Sequence, residues 1–334
     1  MSVPSMTARR AAAVALTMLI GLTAFAAVDA RQRPAGGIVP PVEATAAVKT
    51  LPVQGNVTML AGAGVNVTVQ VGPDGPLVVD TPAAAAAQAV FDAIARLSPK
   101  PIHTIINTHF HADHTAGTAA LVKLRGGGPQ AVRVMAHDNV LTRLTAATTA
   151  GDTTSAALRV NTVITLPVTS PLFTPSRDFF LNGEAVFVHH VPAAHTDGDT
   201  IVHFRGSDVV SAGDVFRPDL YPVIDVQNGG TVNGLIAALN RIIEITVPAH
   251  FQEGGTRVIP GHGRLCDEAD VVEYRDMVTI VRDRVREMVK QGRTLAQVKA
   301  ARPTRDFDTE YGAATGFWTT DMFVEAVFGT INAK

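Results

Sequence analysis

Ile102-His103-Thr104-Ile105-Ile106-Asn107-Thr108-His109-Phe110-His111-Ala112-Asp113-His114 is the stretch from which the rest of the 334-residue chain can be read. Its first half, Ile102 to Asn107, is a short β-branched run and reads as a strand. Three histidines and an aspartate then fall within six positions. With eleven His in the whole chain, independent placement would produce His-x-His-x-Asp-His on the order of one chain in a thousand, so composition is a poor explanation. In extended backbone His109 and His111 project to the same side, as two ligands of one ion must. The turn that follows can aim Asp113 and His114 at a neighbouring point. Three imidazoles and a carboxylate suit zinc, and iron or manganese also accept such ligands.

Outward from this stretch, short strands alternate with helices. Val65, Val67, Val69 and Val71 recur at period two, and Pro76-Leu77-Val78-Val79-Asp80 is a short apolar strand ending in an acid. An Ala-rich helix over Ala83 to Leu97 stops at Ser98-Pro99-Lys100-Pro101. Thr115 to Leu124 reads as a helix interrupted at Gly117, and His137 begins another. Val132 to Ala136, Glu184 to Val191, Thr200 to Phe204, Asp208 to Ala212 and Thr256 to Pro260 read as strands, and Asn233 to Ile245 as a helix. The clearest helix is Asp267 to Lys290, where Val271, Tyr274, Val278, Val281, Val285 and Met288 step by three and four along one face. Strands alternating with helices describe a layered α/β protein. Three further residues with ligand chemistry stand at strand ends or turns: His195 in Pro192-Ala193-Ala194-His195, Asp214 in Ser211-Ala212-Gly213-Asp214, and His262 in Ile259-Pro260-Gly261-His262-Gly263.

The ends of the chain have another character. Arg9 and Arg10 precede an uncharged run, Ala11 to Val28, and Val28-Asp29-Ala30 has small residues where a signal peptidase reads. Residues 1–30 are therefore expected to be a cleaved signal peptide of a periplasmic or extracellular protein, by the general or the twin-arginine route, with no stable membrane anchor afterwards. Arg31 to Pro52, with Pro34, Gly36-Gly37 and Pro40-Pro41, reads as a linker, and globular structure is expected from Val53. The main domain would cover 53–291. Residues 292–334 would form a helical extension, with helices at Thr294 to Ala301 and Trp318 to Ile331, packed on that domain. A formal charge of −2, or −3 without the leader, implies no large basic surface for nucleic acid. The single cysteine, Cys266, excludes an intramolecular disulfide and a multi-thiolate zinc site.

His109-x-His111-x-Asp113-His114, followed by His195, Asp214 and His262, resembles the metallo-β-lactamase superfamily. The resemblance spans roughly Val53 to Lys290 and implies a four-layer αββα sandwich with a site at one edge of its two sheets. Carried over residue by residue, it implies one metal on His109, His111 and His195, a second on Asp113, His114 and His262, and Asp214 bridging them. Asp80 matches a position whose carboxylate supports the ligand loop by fixing the tautomer and aim of an imidazole. The remaining histidines, at positions 103, 137, 189, 190, 203 and 250, are expected to be structural, and Cys266 a packed thiol.

The function so implied is that of an exported hydrolase with a small-molecule substrate and two zinc ions, or iron or manganese in their place. Two dications sharing a solvent ligand would lower its pKa, and the resulting hydroxide would attack an ester, lactone, thioester or amide bond, with Asp113 handling the proton. Departures from named relatives narrow the choice. Asp214 weighs against a true β-lactamase. No Gly-Cys-Gly-Arg-like segment follows it, unlike glyoxalase II and the persulfide dioxygenases, and Arg217 stands where quorum-quenching lactonases carry Tyr. The chain is similar instead to exported members with a Tyr-Pro-x-Ile-Asp segment, here Tyr221-Pro222-Val223-Ile224-Asp225, and the downstream pair Gly229-Gly230. Arg217 and Tyr221 are candidate substrate contacts, one for a carboxylate and the other for a developing oxyanion. Three alternatives stay open: β-lactamase-type amide hydrolysis, a mononuclear-iron oxidoreductase on the same fold, and a metal-binding protein without turnover.

Overall fold

A computed structural model describes residues 47–125, 132–149 and 176–332. The leader over 1–30 and the first part of the linker lie outside the described residues. Among the described residues, the first sheet runs β1 (Lys49–Gln54), β2 (Val57–Ala61), β3 (Val67–Gln70), β4 (Leu77–Val79), β5 (Thr104–Ile106) and β6 (Arg133–Met135), each beside the next. The first four strands are an antiparallel meander, and β4, β5 and β6 are parallel. The crossovers carry α1 (Ala87–Leu97), then α2 (Ala112–Thr115) and α3 (Thr118–Leu124), and α4 (Asp138–Thr149) follows β6.

The second sheet pairs β7 (Ser176–Leu181), β8 (Glu184–His190), β9 (Thr200–Phe204) and β10 (Val209–Gly213) antiparallel. After α5 (Val232–Ile245), β11 (Arg257–Pro260) returns parallel to β10, and β12 (Cys266–Asp267) closes the edge and leads into α6 (Glu268–Lys290). Three short helices end the chain: α7 (Leu295–Ala300), α8 (Asp308–Tyr311) and α9 (Thr320–Thr330).

Side-chain alternation along each strand explains the layering. Leu77 and Val79 of β4, Ile106 of β5, Val202 and Phe204 of β9, Val209 of β10 and Ile259 of β11 meet between the sheets. Val78 and Ile105 point the other way and pack with Val90, Ala93 and Ile94 of α1 and Leu121 of α3. Val210 and Ala212 face outward from the second sheet onto α5 and α6. The result is the αββα arrangement expected from the sequence. The α6 stripe is buried as its periodicity predicts, and Asp267 caps the helix in a reciprocal capping box with Asp270.

Two boundaries differ from the sequence reading. Residues 49–52, expected to end the linker, already belong to β1. That strand is exposed and contains Pro52, so it is recognisable from its pairing with β2 rather than from alternation. The helix expected over 115–124 divides at Gly117 as expected, where a β-carbon would stand 2.4 Å from the Pro82 carbonyl, but its first segment begins earlier, at Ala112. The extension packs on the domain as expected, because Trp318, Phe323, Val324 and Val327 are buried in the same cluster as Leu235, Leu239 and Val278.

Candidate metal centre

Every candidate ligand leaves the fold at one edge of the sandwich. Asp80 follows β4, the run from His109 to His114 follows β5, Asp214 follows β10 and His262 follows β11. These are the carboxyl ends of the strands in parallel pairs, where such sheets open a crevice. His195 comes from the turn between β8 and β9. Cross-sheet hydrogen bonds fix this edge. Asn66 donates from its backbone to Gly261 O (2.8 Å) and from its side chain to Pro260 O and Gly263 O (both 3.0 Å), and Thr200 N donates to Thr108 O (2.9 Å).

The seven side chains converge in two buried groups: His109, His111 and His195, and Asp113, His114, Asp214 and His262. Within each group the ligand atoms lie within 4.8 Å of one another. In the first group His109 Nε2 and His195 Nε2 stand 3.1 and 2.9 Å from His111 Nδ1. The opposite ring nitrogens settle the tautomers. His195 Nδ1 meets Val223 O at 2.7 Å, and a carbonyl only accepts. His111 Nε2 meets Asp225 Oδ2 at 2.9 Å. His109 Nδ1 meets Thr108 Oγ1 at 3.1 Å, while that hydroxyl donates to Asp80 Oδ2. Each histidine therefore donates outward, and three lone pairs face one another at the centre. Uncompensated, that arrangement is repulsive; a cation at the focus makes it favourable, so the donor set fits a metal.

In the second group His114 donates from Nδ1 to Asp80 Oδ2 (2.8 Å), which turns its Nε2 toward Asp214 Oδ1 at 3.2 Å and Asp113 Oδ2 at 3.7 Å. His262 Nε2 lies 3.2 Å from Asp113 Oδ2. Both Asp113 oxygens and Asp214 Oδ1 are buried without a hydrogen bond among the described residues. Buried carboxylate oxygens in that condition are costly unless a cation compensates them. Asp214 also approaches the first group, with Oδ2 3.9 Å from His195 Nε2.

Electrostatics keep His109, His111, Asp113 and Asp214 in metal-ready form, while His114 holds a proton that an incoming cation would displace. Burial, then neighbouring imidazoles, hold the His109 pKa well below its ordinary value, and burial lowers that of His111 against the pull of Asp225. Burial favours protonation of Asp113 and Asp214, but His114 and His262 outweigh it and both carboxyls stay below the usual range. Burial likewise opposes a charge on His114; Asp214, Asp80 and Asp113 prevail and raise it.

Asp80 holds the loop as its position suggested. It accepts from Thr108 N (2.7 Å) and Thr108 Oγ1 (2.8 Å) as well as His114, from a left-handed backbone with φ of 63° that aspartate adopts only where the surroundings compensate it. Asp225 was not assigned a role from sequence, yet it supports His111 as Asp80 supports His114. The available signal was the same in both, an acid directly after a buried apolar pair: Val78-Val79 before Asp80, Val223-Ile224 before Asp225. Gly230 belongs to this shell too, since a β-carbon there would stand 2.2 Å from His195 O.

The two proposed substrate contacts separate. Tyr221 is 1% exposed, stacks on Phe323 at 4.8 Å and donates its hydroxyl toward Thr304 O and Asp308 Oδ1, both at 3.0 Å. Its oxygen is committed to the C-terminal helices, so the oxyanion role is withdrawn. Arg217 is 7% exposed and pairs with Asp219 through Nε (2.8 Å) and Nη2 (3.3 Å), with Phe317 on its guanidinium at 5.4 Å. Its Nη1 is buried without a partner among the described residues. None of the other six histidines joins either group: His137 and His190 stack at 3.6 Å, His189 lies over Phe187, His250 over Phe251, and His103 meets Thr104 Oγ1. Cys266 is a free, buried thiol.

Known structures share this fold. The stereoselective inverting sec-alkylsulfatase Pisa1 from Pseudomonas sp. superposes with a TM-score of 0.60 at 16% identity, over 84% of this chain and 50% of that one. The chain thus spans about half the length of the sulfatase. A metallo-beta-lactamase from Pontibacter korlensis superposes with a TM-score of 0.51 at 15% identity, over 70% of this chain and 99% of that one. No curated protein matches the sequence. The sequence itself matches the profile described as Metallo-beta-lactamase superfamily over residues 60–262, a span that holds the ligand groups on both sheets, and the chain belongs to that superfamily.

Proposed function

We propose that the chain is an exported, metal-dependent hydrolase that holds two zinc ions and opens an ester, lactone, thioester or amide bond of a small molecule. The observation that carries this reading is the convergence of three imidazole lone pairs beside a second group containing buried carboxylate oxygens without hydrogen bonds among the described residues. His109, His111 and His195 would hold one ion, Asp113, His114 and His262 the other, with Asp214 spanning both. Bound there, divalent ions supply Lewis acidity and a means of ionising water near neutral pH. Asp113, with both oxygens free of hydrogen bonds among the described residues, orients the attacking water and accepts its proton at Oδ1. Asp80 and Asp225 hold His114 and His111 in the tautomers that ligation requires.

Arg217 completes the proposal. Its Nη1 is the atom left for an anionic group of the substrate once Asp219 has taken Nε and Nη2. Arg217→Ala is expected to raise KM for carboxylate-bearing substrates more than for neutral ones; unchanged KM and kcat on both would remove it from the site.

The deciding experiment loads purified protein with Zn, Mn or Fe, measures metal by elemental analysis, and screens esters, lactones, thioesters, phosphodiesters and β-lactams. Sulfate esters join the screen because one protein of similar fold is an alkylsulfatase. His111→Ala should lose both metal and turnover. The reading fails if no metal binds or if that variant keeps both. Oxygen consumption with thiol substrates by iron-loaded protein would point to the oxidoreductase instead, and full metal content without turnover to a binding protein. Amino-terminal sequencing of protein recovered outside the cytoplasm tests the leader.

A further inference from the structure

Arg143 lies on α4, which contributes none of the candidate ligands, yet its guanidinium reaches the groups that set two of them. Nε donates to Asp197 Oδ1 at 2.8 Å and Nη2 to Asp197 Oδ2, a bidentate fork, while Nη1 donates to Asn228 Oδ1 at 2.6 Å. Asn228 in turn donates from Nδ2 to Asp225 Oδ2 at 2.6 Å, the same oxygen that receives His111 Nε2. Asp197 lies two residues after His195. Its backbone is pinned by Asn228 O (3.0 Å), Asn139 Nδ2 (2.8 Å) and His190 Nε2 (3.0 Å). The guanidinium also stands 5.5 Å over the ring of Phe110, which lies between His109 and His111 in sequence and 4.5 Å from the His111 ring. One side chain thus ties the turn bearing His195, the loop bearing Asp225 and the aromatic neighbour of His111.

We propose that Arg143 is a positioning residue for the three-histidine group, and that α4 is through it a working part of the metal centre. The inference rests on the reading of this group as a metal site. Three features separate it from an ordinary surface ion pair, which contributes little. The fork engages both carboxylate oxygens, so Asp197 is fixed in orientation as well as in distance. The third nitrogen continues into a chain of short hydrogen bonds that ends on an imidazole. Both partners are largely covered, with side-chain exposures of 24% for Arg143 and 32% for Asp197. The second group takes no part in this chain: His114 is held by Asp80, from the opposite end of the ligand loop.

The asymmetry gives the test. Full-length protein is titrated with Co(II), following visible absorption, with competition by a chelator to obtain the two stepwise affinities. His111→Ala marks which step belongs to the three-histidine group. Removing partners of metal-ligating histidines costs roughly 10–100-fold in affinity. Arg143→Ala, acting at one remove, is expected to weaken that step about tenfold, at the lower end of the same range, and to leave the other step unchanged. Arg143→Lys keeps the charge and the stem but loses the fork, and should behave like Arg143→Ala. If Arg143→Ala does not fold, Asn228→Ala cuts the same chain from the other side and should show the same selective loss. Equal affinities in wild type and variants overturn the proposal, and so does an equal weakening of both steps, which is what general loosening would produce. Wild-type protein that takes up no Co(II) overturns the hydrolase reading as well, whereas uptake of two ions with unchanged variants overturns only the role of Arg143.

Discussion

Gly261 leaves no room for a side chain. A β-carbon there would stand 2.0 Å from Asp214 Oδ1 and 2.9 Å from the Gly213 carbonyl carbon, while its own N donates to Gly213 O at 2.8 Å. The backbone before His262 therefore passes directly against the Asp214 carboxylate and the Gly213 carbonyl, and a side chain here must push one of them aside. Gly261→Ala is expected to displace Asp214, with metal content below that of wild type and turnover down at least about tenfold, the loss expected when a catalytic group is misplaced by an ångström. The measurement is elemental analysis beside kinetics on the same preparation; full metal content with unchanged turnover would mean that the loop relaxes freely. At this scale the sequence was informative where chemistry is local. The run from His109 to His114 announced itself by type and spacing, whereas His195, Asp214, His262 and Asp80 followed from the family resemblance. Asp225 shares with Asp80 a place directly after a buried apolar pair but was assigned no role by that resemblance, and Arg143 had no local signal, because a guanidinium acquires such a role only through what the fold brings beside it.

Among the elements, α9 shows the same division. Its apolar residues were legible, but their partners were not, since Tyr221 lies about a hundred positions upstream. Phe323 is fully buried and stacks almost parallel on Tyr221, at 8° between rings. Tyr221 passes the contact to Tyr311, which in turn meets Tyr274 of α6. Removing the Phe323 ring leaves a cavity lined by these aromatics, so Phe323→Ala should cost about 3–5 kcal/mol in urea unfolding. A loss below about 1 kcal/mol, as at a surface position, would show that the extension is only loosely docked. Fully buried strands rich in β-branched residues, such as β3, β4 and β9, were readable in advance. β1 and β7 were not, because exposed residues on an edge strand have no periodic burial to display. The Gly55 turn, with φ of 57°, was the sole local hint that β1 and β2 form a hairpin.

For the molecule as a whole, alternating elements gave only a layered α/β class, while the αββα order and the two ligand groups were implied by the family resemblance that the ligand pattern carries. Global stability also depends on histidines remote from the metal centre. His189 on β8 is held at a pKa of about 4, first by burial and then by Arg241 of α5 and His203 of β9, with Asp178 of β7 opposing. An imidazole whose folded pKa lies below its unfolded value near 6.5 takes up its proton first in the unfolded chain, so acid favours unfolding. The contribution of His189 is complete above pH 6.5 and is lost progressively as the pH falls towards 4. Cys266 produces the opposite limb. Burial, followed by Asp270, pushes its thiol up to about 12 against an ordinary 9.0, so its contribution is present below pH 9 and declines above it. By themselves these two groups leave urea midpoints level between about pH 6.5 and 9 and lower them on either side. His189→Gln, which cannot take a proton, should flatten the fall between pH 6.5 and 4 relative to wild type, with little change in metal content because the residue touches none of the ligands. An acid limb of unchanged slope in that variant would assign acid unfolding to other groups, the buried carboxylates first among them.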